Sequence, residues 1–127
     1  MEHKIWYDEE HGIVREEIIG TFFDADVDEY YELSRQVMDG MKSVKILVDF
    51  TRASQRVYES MYVRQKMIEG SVNLNHHHEK LALLVKDPKV KLQAAASALG
   101  ARDRGKDVEV AWFDNEDDAL RWLKQVK

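Results

Sequence analysis

The chain has no cysteine, a single proline and no long apolar run among its 127 residues. The absence of cysteine excludes disulfide bonds, so redox chemistry gives no information about the compartment. A transmembrane helix needs about 20 mostly apolar residues, so we expect no transmembrane segment. The amino terminus, residues 1–6, also lacks the apolar core of a signal peptide. We therefore expect a cytoplasmic protein.

Clusters of basic residues and interdomain linkers are missing as well. The formal net charge is -5, and lysines and arginines are interleaved with acidic residues throughout. Phosphate contacts need clustered basic side chains, so nucleic-acid binding is not expected. Without a linker, a repeat or a low-complexity tract, residues 1–127 are predicted to form one domain.

Three short apolar runs predict buried strands, at residues 44–50, 81–85 and 108–113. In the first, Ile46, Leu47 and Val48 are consecutive, so both faces of the strand carry apolar side chains. Helical patterns separate the three runs. Strands that alternate with helices indicate a parallel sheet covered by crossover helices.

The remaining patterns complete an α/β fold. An antiparallel hairpin is predicted from two strands joined at Gly12. The expected architecture is a mixed five-stranded sheet with this hairpin, three central parallel strands and four helices, in the order ββαβαβαβα. Helices are predicted over residues 24–39, 55–69 and 88–99, and a fourth after Asp114. Asp87 and Asp114 are the predicted N-caps of the last two helices. The first three helices are predicted to end at Gly40, Gly70 and Gly100.

This pattern resembles the STAS-type fold of the anti-sigma-factor antagonists, in its SpoIIAA-like branch. At the level of fold it is also similar to the lipid-carrying CRAL-TRIO domains. The resemblance implies a regulatory or ligand-carrying domain of the predicted topology. The residues that carry it are Tyr7 to Val14 with Gly20, Ile46 to Thr51, Val85 to Pro88 and Trp112 to Leu123.

One functional motif of the resembled family is absent. Partner-switching antagonists carry an Asp-Ser-Ser-Gly-like segment with a phosphorylated serine at the start of the helix after the central strand. Here that region reads Thr51-Arg52-Ala53-Ser54-Gln55-Arg56. Thr51 and Ser54 are hydroxyls near the expected place, and Arg52 and Arg56 could pair with a phosphate. Phosphorylation at Thr51 or Ser54 is therefore a minority hypothesis.

The carboxyl ends of the parallel strands are the expected binding edge of such a sheet. Our first hypothesis is a non-enzymatic regulatory domain that binds a protein partner through the loop and helix after the central strand. The alternative is a carrier of a small apolar, lipid-like ligand, which needs an enclosed cavity of roughly 300 Å³ or more. A homodimer through the same helix is a further option. The candidate binding residues are Asp49, Thr51, Arg52, Ser54, Arg56, Tyr58, Met61 and Tyr62, with Met67 added for the carrier.

No motif in the sequence predicts catalysis or a cofactor. A serine-elbow motif and a phosphate-binding glycine loop are both absent, so we expect no enzyme activity and no cofactor. His76, His77 and His78 are weak candidates for a metal site, because adjacent residues in extended chain point in opposite directions. We therefore predict no native metal site.

Overall fold

A computed structural model describes residues 1–73, 77–103 and 108–125 of the chain. Its elements follow the predicted order, apart from one turn of 3-10 helix at Asp24–Asp26 before the first α-helix. The strands are β1 (Lys4–Asp8), β2 (Ile13–Glu17), β3 (Ser43–Asp49), β4 (His77–Leu84) and β5 (Glu109–Phe113). The helices are α1 (Val27–Met38), α2 (Met61–Asn73), α3 (Pro88–Asp103) and α4 (Glu116–Lys124).

The five strands form one mixed sheet in the order β1-β2-β3-β4-β5. β1 and β2 are antiparallel, as the hairpin prediction requires, and β2, β3, β4 and β5 run parallel to one another. β3 lies at the centre of the sheet and β4 beside it. β5 forms one edge of the sheet, where Glu109 is exposed and the other four side chains are partly exposed. The predicted α/β class and strand directions are thus confirmed, but the prediction that residues 108–113 form a buried central strand was wrong, because β5 has a neighbouring strand on one side only.

Strand alternation divides the core into two layers. On one face, which we call the three-helix face, α1, α2 and α3 pack on side chains such as Val14, Ile46 and Leu83. On the other, the single-helix face, α4 packs on Leu47 and Ala82. The apolar content of both faces explains why β3 carries consecutive apolar residues.

The segment between β3 and α2 differs from the prediction. We expected a helix from residue 55, but α2 begins at Met61 and residues 51–60 form a loop. The Ser60 hydroxyl caps α2 by accepting a hydrogen bond from the backbone N–H of Val63 at 3.2 Å. Val57 and Tyr58 enter the core from the loop instead of from a helix.

Hydrogen bonds explain why the helix does not start earlier. The carbonyl of Val57 accepts a hydrogen bond from the Phe22 N–H at 2.9 Å. The N–H of Tyr58 donates to the Gln93 side chain at 2.8 Å. These backbone groups are satisfied by tertiary partners, so they have no need of a helical ladder.

Other predicted helix ends are partly correct. Asp87 caps α3 by accepting from the Lys89 N–H at 2.8 Å, as predicted. α3 continues to Asp103, so the prediction that Gly100 ends it was wrong; glycine in a helix costs only about 1 kcal/mol. Asn115, not Asp114, caps α4. The predicted stop at Gly70 was also wrong, because α2 extends to Asn73.

Two buried polar residues hold the ends of the fold. Lys80 is buried on the single-helix face, where its ammonium donates to the carbonyls of Trp122 at 2.9 Å and Gln125 at 3.0 Å. It also lies 4.9 Å from the centre of the Trp122 ring. A cation that binds the last carbonyls of a helix favours its carboxyl end electrostatically. Lys80 therefore fixes α4 on the sheet.

His3 holds the amino terminus against the segment that follows β2. Its ring stacks on Phe22 with centroids 4.4 Å apart, and its Nδ1 accepts from the Ile19 N–H at 3.0 Å. Nε2 lies 3.4 Å from the Asp26 carboxylate. Burial lowers the pKa of His3, although Asp26 opposes that effect. The neutral ring thus positions Ile19 to Phe22, which in turn support the loop after β3.

Candidate functional site

The carboxyl end of β3 is closed by a side-chain turn. Asp49 Oδ1 accepts hydrogen bonds from the Thr51 N–H at 2.8 Å and from its hydroxyl at 2.7 Å. Such a turn is a common way for aspartate to redirect the chain. Both of these predicted site residues therefore shape the loop, and the Thr51 side chain is exposed beside the Asp49 carboxylate.

The loop of residues 51–60 is bonded on one side to the segment after β2. Gly20 donates to the Arg52 carbonyl at 2.9 Å, and the Ser54 N–H donates to the Gly20 carbonyl at 2.8 Å. Gly20 has a φ of 67°, a conformation that favours glycine. The Ser54 hydroxyl accepts from the Arg56 N–H at 2.9 Å, so it also has a structural role.

On its other side the loop is bonded to the start of α3. The Gln55 side chain donates to Asp87 at 2.8 Å, and this bond, with the N–H of Lys89, lowers the pKa of Asp87. Gln93 donates to the Gln55 carbonyl while accepting from Tyr58. Nothing in the sequence pattern distinguishes these glutamines from ordinary exposed ones. The loop is thus held at both ends before any partner binds.

The two arginines of the loop have different surroundings. Arg52 pairs with Glu17 at 3.1 Å, from its Nη1 to the Glu17 Oε1. Arg56 is exposed, and within residues 1–73, 77–103 and 108–125 its guanidinium has no side-chain partner. Only Arg56 is therefore available to a negatively charged ligand without breaking an existing pair.

The aromatic and methionine residues of the site divide between core and surface. Tyr58 is buried and packs edge-on against Phe50, with ring centroids 6.0 Å apart. Met61 is 78% exposed, Tyr62 is 42% exposed, and Phe23 is 60% exposed. We call these three exposed residues the apolar patch.

A hydrogen bond connects the two segments of this patch. The Ser60 hydroxyl donates to the Asp24 carboxylate, so the residue after Phe23 contacts the residue before Met61. Sequence reasoning missed Phe23. The available signal was the Phe22–Phe23 pair, because neighbours in extended chain point in opposite directions and only one of them can enter the core.

The four residues proposed for a ligand carrier do not share one environment. Tyr58 lies in the core, Met67 packs against the core, and Met61 and Tyr62 face solvent. A carrier of the predicted kind needs these side chains to line one enclosed cavity. Their placement agrees better with a surface that contacts a partner.

A carboxyl group that sequence reasoning did not single out lies beneath the site. Glu16 sits on β2 between Ile5 and Val48, and alternation with Val14 places it on the three-helix face. Burial raises the pKa of Glu16 to about 7. Burial, followed by the nearby Glu16, also raises the pKa of Tyr58. The loop residue Tyr58 is thus electrostatically coupled to a strand carboxyl.

Potential metal ligands occur together at the first hairpin. Asp8, Glu10 and His11 place one ligand atom each within 4.8 Å of one another. Asp8, however, accepts hydrogen bonds from Arg15 at 2.7 Å and from His11 at 2.8 Å, and these bonds lower its pKa to about 2. Arg15 also pairs with Glu116 of α4, so Asp8 has a cationic partner already.

The histidine run named as a weak metal candidate lies outside the side chains that the structure describes. His76 lies outside the described residues, and His77 and His78 begin β4 with side chains that are not described.

In the described part of the chain, no helix has the length and apolarity needed to cross a membrane.

Comparisons with known proteins agree with this architecture. A family model described as SpoIIAA-like matches residues 13–124. A crystal structure of an uncharacterised protein from Shewanella loihica PV-4, of the DUF3478 family with a SpoIIAA-like fold, superimposes with a TM-score of 0.69. It is 17% identical in sequence, and the match covers 95% of this chain and 91% of that chain. A search of curated proteins found no match.

Proposed function

This chain belongs to the SpoIIAA-like family, and from that premise we propose that it is a regulatory domain that binds a protein partner through the apolar patch and the loop before α2. Domains of this family are generally non-enzymatic, and the fold is consistent with a regulatory or interaction role. The partner and its binding surface are inferred from the geometry described above.

The exposure of the apolar patch carries this proposal. A methionine at 78% exposure and a phenylalanine at 60% both flank the Ser60–Asp24 hydrogen bond. Exposed apolar side chains on neighbouring segments commonly mark sites of protein association. Methionine adapts to varied contacts, and aromatic residues contribute much of the binding energy in interfaces.

The rigidity of the loop is a second support. Bonds to Gly20 on one side and to Asp87 and Gln93 on the other hold the loop in place. A surface that is ordered before binding loses less conformational entropy on association. Arg56 lies on this loop as an exposed cation, so the patch fits a partner segment that offers apolar side chains beside a carboxylate.

Phosphorylation is not required by this proposal. A phosphate on Thr51 would lie beside the Asp49 carboxylate that now accepts its hydroxyl. Like charges at that distance repel, and Arg52 is already paired with Glu17. We propose that such a phosphate would open the Asp49–Thr51 turn and weaken partner binding.

Affinity capture with three versions of the chain tests the proposal. Met61→Glu adds a charge to the patch at the first position of α2, where a negative charge favours the helix dipole. Leu92→Glu is the matched control, because Leu92 is 75% exposed but lies on α3. Each bait is used on extracts of the cells that produce the protein, and the captured proteins are quantified.

We expect the unmodified chain and Leu92→Glu to capture the same protein in similar amounts. The captured amount should be at least tenfold lower with Met61→Glu. Equal capture by all three baits would contradict the proposal. Light scattering of each purified bait shows whether the partner is a second copy of the chain. Native mass spectrometry of the freshly purified chain tests the carrier alternative: a retained lipid-sized mass would support it.

A further inference from the structure

A cleft of about 280 Å³ opens at the opposite end of the sheet from the loop before α2. Its lining comes from the first hairpin, the chain after α1 and the starts of β3 and β4: Tyr7, Gly12, Val14, Met41, Ser43, Val44, Lys45 and Glu79. At about 3.3 Å per residue, the length of β3 separates this cleft from Asp49 by roughly 20 Å. The volume is just below the roughly 300 Å³ at which pockets for drug-sized ligands begin, so it suits a small molecule.

An irregularity in the sheet directs an acidic side chain toward this cleft. Val44 pairs with His78 and Lys45 pairs with Lys80, which leaves Glu79 without a partner on β3. An extra residue of this kind bends its strand and re-aims its side chain, and such bulges are frequent beside functional sites. Glu79 is half-buried in the cleft wall.

The Glu79 carboxylate has little to neutralise it. It accepts a hydrogen bond from the Ser43 hydroxyl at 3.3 Å. Among the described side chains no lysine, arginine or histidine forms an ion pair with it. Lys45 also lines the cleft, but among the described side chains it forms no ion pair with Glu79.

The rest of the lining is apolar and aromatic. Val14, Val44 and Met41 belong to the core layer of the three-helix face and form the apolar part of the wall. Tyr7 is 44% exposed and adds an aromatic ring. Gly12 lies close to the Tyr7 hydroxyl, since an added Cβ would come within 3.9 Å of it.

We propose that this cleft binds a small organic cation, a protonated amine carried on an apolar or aromatic body. The ammonium pairs with the Glu79 carboxylate and lies near the Tyr7 ring, which attracts cations through its quadrupole. The apolar body contacts the wall formed by Val14, Met41 and Val44. This site is separate from the partner-binding surface, and neither proposal depends on the other.

Titration by nuclear magnetic resonance tests the site with three probes of similar shape. The probes are 2-phenylethylamine, the neutral 2-phenylethanol and the anionic 3-phenylpropanoate. We expect the amine to bind at least tenfold more tightly than either of the others. Its backbone shift changes should cluster at residues 12–14, 41–45 and 79.

Two variants separate the charge from the fold. Glu79→Gln keeps the side-chain shape and is expected to weaken amine binding at least tenfold without changing alcohol binding. Glu29→Gln, at an exposed position on α1, should change neither amine binding nor alcohol binding. Equal binding of amine and alcohol, unchanged amine binding by Glu79→Gln, or shift changes located elsewhere would each overturn the proposal.

Discussion

Glu16 is an acid at a strand position where its neighbours on both adjoining strands, Ile5 and Val48, are apolar. In the sequence Glu16 stands in a run of three polar residues, which gives no sign that its carboxyl faces the core. The alternation rule places Glu16 on the same face as Val14 and Ile18, but that rule needs the register and the helices above it. The strand register and the helix packing are properties of the tertiary structure, so the burial of this carboxyl could not be predicted from the sequence.

Replacing Glu16 with glutamine should stabilise the protein at alkaline pH. The pKa of Glu16 is raised to about 7 in the fold, so between its unfolded value of 4.5 and 7 the folded state binds more protons. The unfavourable contribution is therefore absent below pH 4.5 and complete above about pH 7. Glu16→Gln should raise the free energy of unfolding by about 1–3 kcal/mol at pH 8.5 relative to its effect at pH 4.5.

Urea unfolding of both proteins at pH 4.5 and 8.5 measures this difference. Glu29→Gln is the control, because Glu29 is exposed on α1 and should show little pH-dependent difference. A Glu16→Gln effect that is the same at both pH values would show that this carboxyl ionises normally in the fold.

Lys80 is expected to be the most sensitive lysine of the single-helix face. Replacing it with methionine keeps much of the apolar stem but removes two hydrogen bonds, to the carbonyl of Trp122 in α4 and to that of Gln125, which follows the helix. Hydrogen bonds to charged groups contribute about 1.5–3 kcal/mol, so we expect a loss of about 2–3 kcal/mol. Lys45→Met, opposite Lys80 in the sheet, should cost under about 0.5 kcal/mol, as surface substitutions do. Equal losses in chemical denaturation would refute the role assigned to Lys80.

At the scale of elements, strands were easier to predict than the loop before α2. Consecutive apolar residues in β3 reflect burial on two faces, which is a local property of the sequence. Val57 and Tyr58 have helix-compatible spacing with Met61, yet they enter the core from a loop because Phe22 and Gln93 bind their backbone groups. Because Phe22 and Gln93 are distant from this loop in the chain, their hydrogen bonds do not show in the hydrophobic periodicity of the sequence.

Ser60 joins the loop, α2 and the segment of the apolar patch that contains Phe23. Ser60→Ala removes the cap bond to Val63 and the contact with Asp24, so it should cost about 1 kcal/mol of stability. Hydrogen exchange in the first turn of α2 should become faster by a factor of about five, the rate equivalent of 1 kcal/mol. Ser43→Ala is the control, since its hydroxyl makes a single bond within the described part of the chain, to Glu79 at 3.3 Å. Unchanged exchange in α2 would contradict the capping role.

At the scale of the whole molecule, topology separates the two proposed sites. Parallel strands β2 to β5 bring their carboxyl ends to one edge, where the loop before α2 lies, and their amino ends to the edge that contains the cleft. The alternation of strands and helices in the sequence predicted this sheet, and the edge that we propose for partner binding follows from it. It did not predict the cleft, because a one-residue bulge at Glu79 depends on strand pairing and not on hydrophobic pattern.

The central claim, that the apolar patch contacts a protein, is tested most directly by crosslinking in the cells that produce the chain. A photoreactive amino acid replaces Met61 in one protein and Leu92 in another, and both are irradiated. We predict a discrete protein adduct from position 61 that disappears when Phe23→Glu is added, and no such adduct from position 92. Absence of an adduct at position 61, or the same adduct from both positions, would contradict the account.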